Sequence, residues 1–121
     1  MVNRMPIPKT KIDVSHIEGN VSDEEKRLAL KIFANFVSTH DKSYGADVGQ
    51  RLKMVAVNVW GKDSPAASGE TVFEIDVERD MCNIFGTLHG ACAAYMVDPY
   101  AYVIHCLDQL DEPSLDAPCH L

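Results

Sequence analysis

The sequence predicts a single α+β domain, and three observations carry the prediction. Ser22-Asp23-Glu24-Glu25 opens an amphipathic segment as a capping box does, with Ser22 as N-cap and Glu25 at N3. Two runs with alternating β-branched and apolar residues then follow, over 51–61 and 70–79. From His89 the chain becomes apolar and small-sided for nearly twenty residues, the mark of a helix enclosed on several sides. A length of 121 residues suits one domain with a real core, and the hydrophobic share of 46% against 24% charged places it among globular chains.

Each element can be justified in turn. Residues 1–21 read as a flexible arm. Its first part carries Arg4, Lys9 and Lys11 without an acid, and Pro6 and Pro8 break any amphipathic transit helix. Helix follows over 23–40, because Leu28, Ala29, Ile32, Phe33, Phe36 and Val37 recur at helical spacing. Gly45 and Gly49 bracket a loop. In 51–61, Val55, Val57 and Val59 alternate in a strand expected to be covered on both faces. Gly61 to Gly69 reads as the hairpin loop. In 70–79, Phe73, Ile75 and Val77 share one face, opposite Glu74, Asp76 and Glu78. An irregular connection over 80–88 leads into the second helix, which Pro99 should kink near Tyr95 by removing a backbone hydrogen bond. Asp111-Glu112-Pro113 reads as a turn, and 114–121 as the start of another strand, confined to an edge by Pro118.

Charge and cysteine usage bound the function. A net charge of −7 argues against a general nucleic-acid or anionic-membrane surface, while leaving room for a local basic patch. No apolar run reaches the length of a membrane span, and none near the start resembles a secretory signal. The expected compartment is the cytoplasm, with the mitochondrion as the alternative. Cys82, Cys92, Cys106 and Cys119 form no CxxC pair, so reduced thiols are expected in place of a zinc site or disulfides.

The chemically informative stretch runs from Asn83 through Gly86-Thr87-Leu88-His89-Gly90 to Asp98. It resembles the signature of the hotdog-fold acyl-CoA thioesterases of the phenylacetate-pathway type: an Asn, a Gly-Thr-Leu-His-Gly run, and an Asp nine positions beyond the His. The likeness covers roughly 50–121, and the order of helix, loop and two strands before it also agrees. It implies an antiparallel sheet wrapped around a long central helix. It further implies hydrolysis of an acyl- or aryl-acyl-CoA, and assembly as a homodimer or a dimer of dimers. Coenzyme A would enter as part of the substrate, with no separate cofactor or metal. Such a domain needs five or six strands where two and the start of a third are legible, so the hotdog domain over 22–121 is expected to be incomplete, its C-terminal strands missing.

The residue types suit that reaction. Attack on a thioester carbonyl builds negative charge on oxygen, and Gly90 stands where a helix begins, with a spare N–H and the helix dipole to meet it. Glycine also lets an acyl group approach the backbone. His89 would donate to the thioester or hold the preceding loop, and Asn83 would orient the attacking water or that same loop. Asp98 would be nucleophile or general base. The family also places a Ser or Thr on the next strand to position water, and Ser114 is the best match. Positions 90 and 98 lie about 12 Å apart along a helix and roughly 80° around it, so one carbonyl cannot touch both. A two-fold dimer with antiparallel helices would build two composite sites. Two other readings compete: a catalytically inactive form that acts by pairing through exposed strand edges, and a hotdog hydratase or dehydratase.

Overall fold

The computed structural model describes residues 11–37 and 43–108, with 100–102 and 105–108 by backbone alone. In chain order the elements are α1 (Asp23–Phe36), α2 (Ala46–Gly49), β1 (Lys53–Trp60), β2 (Ser68–Glu74), a 3-10 turn (Arg79–Met81) and α3 (Gly90–Asp108). The architecture is mixed α+β: a two-stranded antiparallel sheet packed with helices. Residues 1–10, 38–42 and 109–121 lie outside the described residues. They include the first half of the expected arm, the last turn of the first predicted helix, and both Ser114 and the 114–121 strand.

α1 starts where its cap dictates. The Ser22 hydroxyl accepts from the Glu25 N–H at 3.2 Å, and the Glu25 carboxylate accepts from the Ser22 N–H at 2.8 Å. Asp23, Glu24 and Glu25 in the first turn oppose the positive end of the helix dipole. Ala29, Phe33 and Val37, at four-residue spacing, form its buried stripe. Phe33 meets Phe73 of β2 with ring centroids 4.8 Å apart in a tilted pair. Burial of a side chain of that size contributes about 2–3 kcal/mol.

Glu25 also pairs with Lys62 of the hairpin loop, and this pair first, then the Ser22 N–H, lowers its pKa from the ordinary 4.5. A lowered carboxylate pKa means the folded state binds the proton less readily than the unfolded one. Its stabilisation is therefore present above 4.5 and lost as pH falls through the folded value below it. Ser22→Ala is expected to cost about 1 kcal/mol in urea denaturation at neutral pH. Because the Ser22 hydroxyl also donates to the Glu25 carboxylate at 3.0 Å and adds a smaller lowering of its pKa, part of the deficit should disappear as the solution is acidified below 4.5.

β1 and β2 pair from Lys53↔Glu74 to Trp60↔Ser68, with a bulge between Met54 and Ala56. No residue from Met54 to Val59 is exposed, as expected of a strand covered on both faces. β2 is shorter at its end than the alternation suggests: it stops at Glu74, and Val77 is exposed rather than inward. The core gathers Val14, Ile17, Val21, Phe33, Val37, Leu52, Met54, Val57 and Val103.

The flexible arm expected over 1–21 is corrected in its described half. Val14, Ile17 and Val21 are core residues, and the backbone of 18 bridges β1 beside Ala56. The Glu18 N–H donates to Val55 O at 2.9 Å, and the Val57 N–H to Glu18 O at 3.0 Å. Asn20 then imitates a strand residue with its side chain. Its Nδ2 donates to Val59 O at 2.9 Å, and its Oδ1 accepts from the Val59 N–H at 2.8 Å. The edge of β1 away from β2 is therefore occupied.

α3 packs on α1, α2 and β2. Its assignment continues through Pro99, which is buried, and onto Val103 in the core. Expected burial on all sides is corrected: Ala91, Ala94, Val97 and Asp98 are exposed, and the described elements cover only the opposite face.

Candidate functional site

The 80–88 connection is built around Asn83. Its Oδ1 accepts from the Phe85 N–H at 2.9 Å and the Thr87 N–H at 3.3 Å, while its Nδ2 donates to the Thr87 hydroxyl at 2.9 Å. The backbone closes the same loop: the Asn83 N–H donates to Thr87 O at 2.8 Å, and Cys82 bridges Leu88. Gly86 takes φ +79°, a left-handed conformation that favours glycine. Of the two roles open to Asn83, the described contacts are those that hold the loop. Asn83→Ala is expected to free the Phe85 and Thr87 amides for hydrogen exchange and to cost roughly 1–2 kcal/mol, whereas Asn83→Asp, which keeps the accepting oxygen, should lose less.

The loop delivers His89 to the cap of α3. The His89 N–H donates to Met81 O at 2.9 Å, and its Nδ1 accepts from the Ala91 N–H at 3.0 Å. An accepting Nδ1 carries no hydrogen, so in the neutral ring the proton sits on Nε2, leaving that nitrogen as a donor. Gly90 is the first residue of α3, and its N–H has no acceptor among the described residues. Gly90 is exposed, and a methyl group built on its Cα would meet nothing within 4 Å.

Asp98 lies two turns further on. It is exposed and has no hydrogen-bond or ion-pair partner among the described residues. Gly90, Ala91, Ala94, Val97 and Asp98 are all exposed and fall on one side of α3. The structure thus brings Asn83, His89 and Gly90 together at the helix start, and leaves Asp98 apart from them along the same open face. Ser114 lies outside the described residues.

A cleft of about 300 Å³ opens beside the start of α3, between it, α2 and the 3-10 turn. Tyr44, Val48, Met81 and Tyr95 give it apolar walls, and Asp80, Cys82, His89 and Cys92 stand among them. Arg51 clamps Asp80 through two hydrogen bonds, 2.9 and 2.6 Å, which hold its carboxyl below the usual carboxylate range and the guanidinium above its own. This exposed pair adds little stability but ties the 3-10 turn to the residues before β1. Cys82 and Cys92 are free thiols.

Three features of this site were not foreseen from the sequence: the role of Thr87 as Asn83's partner, the Arg51–Asp80 clamp, and the edge-to-face pair of Tyr44 and Tyr95 at 6.1 Å. Only the Asn83–Thr87 spacing carries a local signal, that of a side chain closing a turn. The other two join residues distant in sequence. Among the described residues, no helix is long and apolar enough to cross a membrane. Comparison with protein-family models, with curated proteins and with solved structures returned no match.

Proposed function

We propose that this chain is an acyl-CoA thioesterase of the hotdog type whose active site is completed by a second copy. The observation that carries the reading is the open face of α3. It holds an amide at Gly90 and a carboxylate at Asp98, each without a partner among the described residues and about 12 Å apart by helix rise. An antiparallel α3 from a second chain laid on this face sets each group opposite its complement, so two equivalent sites form. The small side chains of Ala91 and Ala94 permit that close approach. Ile84 and Phe85, 92% and 82% exposed at the tip of the hydrogen-bonded loop, are large apolar groups that a subunit boundary would shield from water.

In such a site the thioester oxygen lies before the Gly90 N–H, with the His89 Nε2–H as a further donor. Asp98 of the partner subunit either adds to the carbonyl carbon itself or takes a proton from the water that does. The tetrahedral oxyanion is held at the helix start, the C–S bond breaks on its collapse, and coenzyme A leaves as thiol after gaining a proton. The acid is released directly on the water route, or after hydrolysis of the Asp98 anhydride on the nucleophilic one.

The alternative of an inactive form pairing through strand edges is weakened on β1, whose outer edge Glu18 and Asn20 already fill. Chromatographic detection of free coenzyme A from an acyl-CoA series, with sedimentation of the same sample, tests the proposal. Thiol release by a dimer is the expected result. Full-rate hydrolysis by a strict monomer, or hydration of an unsaturated acyl-CoA without thiol release, would overturn it.

A further inference from the structure

Tyr95 occupies an unusual position between the cleft and the core. One side of its ring lines the cleft beside the start of α3. The ring edge rests on the backbone of Gly45, where a built methyl group would stand 2.7 Å from Cδ2. Its hydroxyl reaches Gly49, where a methyl would lie 2.5 Å from that oxygen and 2.8 Å from Val37 Cγ1. Glycine at both positions is what lets the ring pass across α2. Val37, a core residue, meets Gly49 from the other side, so the ring stands between the cleft it lines and the core.

A cleft of about 300 Å³ is at the small end of ligand pockets. Its apolar walls suit the acyl portion of a thioester whose carbonyl lies at the neighbouring Gly90 amide. Resting on the thioesterase reading above, we propose that Tyr95 is a specificity-determining residue: its ring closes the inner end of the acyl cleft and restricts the enzyme to short acyl groups. Cutting the side chain back to a methyl adds to the cleft the volume the ring vacates beside Gly45, Gly49 and Val37, and longer chains then fit. A Tyr95 that merely pinned α2 to α3 would, on removal, lower stability without changing relative preference among substrates.

The test compares kcat/KM for acetyl-, butanoyl-, octanoyl- and dodecanoyl-CoA in the wild type, Tyr95→Phe, Tyr95→Leu and Tyr95→Ala. The wild type and Tyr95→Phe, which keep the ring, are expected to favour the short substrates. Tyr95→Ala should raise the dodecanoyl-to-butanoyl ratio by about tenfold or more, the scale on which methylenes in an apolar pocket discriminate, and Tyr95→Leu should raise it less. A wild type that already prefers dodecanoyl-CoA overturns the proposal, as does an unchanged ratio in both truncated variants. Absence of thiol release from every substrate removes the thioesterase reading itself. Chain-length preference unchanged in both truncated variants with hydrolysis intact removes only the role of Tyr95.

Discussion

Mixing Asp98→Asn with Gly90→Pro, each inactive alone, is expected to restore about a quarter of wild-type thioester hydrolysis. The two substitutions remove different halves of the proposed site. Asp98→Asn keeps the shape of an exposed side chain but loses the base or nucleophile, at about 10²–10⁴ in rate. Gly90→Pro deletes the N–H that would hold the oxyanion, at about 10²–10³. Proline is tolerated there because Gly90 is the first residue of α3, where the N–H has no partner within the helix and a fixed negative φ fits. A β-carbon at this exposed position also meets nothing within 4 Å. If each site joins Gly90 of one chain to Asp98 of the other, a heterodimer carries one doubly defective site and one intact site. Random exchange makes about half the dimers mixed, giving roughly a quarter of the original sites. Recovery is read as coenzyme A release after subunit exchange through mild denaturant. A site contained within one chain would recover nothing at any mixing ratio.

What could be read from the sequence followed the range over which each signal acts. The α1 start was legible because a capping box spans four consecutive residues, and Ser22 and Glu25 carry both of its hydrogen bonds. The β1–β2 hairpin was legible because the Val55-Val57-Val59 alternation and the turn-rich stretch after Gly61 are local patterns. Of the site, the loop and the α3 start were foreseen because Asn83, His89 and Gly90 lie within a few residues of one another. The exposure of Asp98 was not. An all-apolar helix looks buried whether its cover comes from its own chain or from another, and composition carries no record of which. The short α2 was missed because its Gly45 and Gly49 signal a loop, although here they are present to make room for Tyr95, far along the chain. The arm was misread for the same reason. Val14, Ile17 and Val21 recur at i, i+3 and i+7, yet no helix forms there; what orders them is contact with β1 nearly forty residues away.

Gly19→Ala is expected to be among the most destabilising single substitutions in the described part of the chain, at about 3 kcal/mol, a large share of a small domain's total. Gly19 has φ +123°, which L side chains rarely adopt, and a methyl there would press into the Val57 carbonyl group, 2.7 Å from its carbon and closer still to its oxygen. Relief by retreat is costly, because the residues on either side are both fastened to β1. Glu18 exchanges two backbone bonds with Val55 and Val57, and the Asn20 amide exchanges two with Val59. Gly19 is therefore the pivot by which backbone pairing at 18 passes to side-chain pairing at 20. Moving it away from Val57 also draws Ile17 and Val21 from the core, where both are buried. Asn20→Ala breaks only the side-chain bonds and leaves the backbone conformation unstrained, so it should cost about 1–2 kcal/mol. Urea denaturation midpoints should rank wild type above Asn20→Ala and Asn20→Ala above Gly19→Ala, with the Val57 amide losing hydrogen-exchange protection first in the glycine variant. The reverse order would mean that the segment before α1 is not held against β1 in solution, and that its three buried side chains contribute little to the core beneath α3.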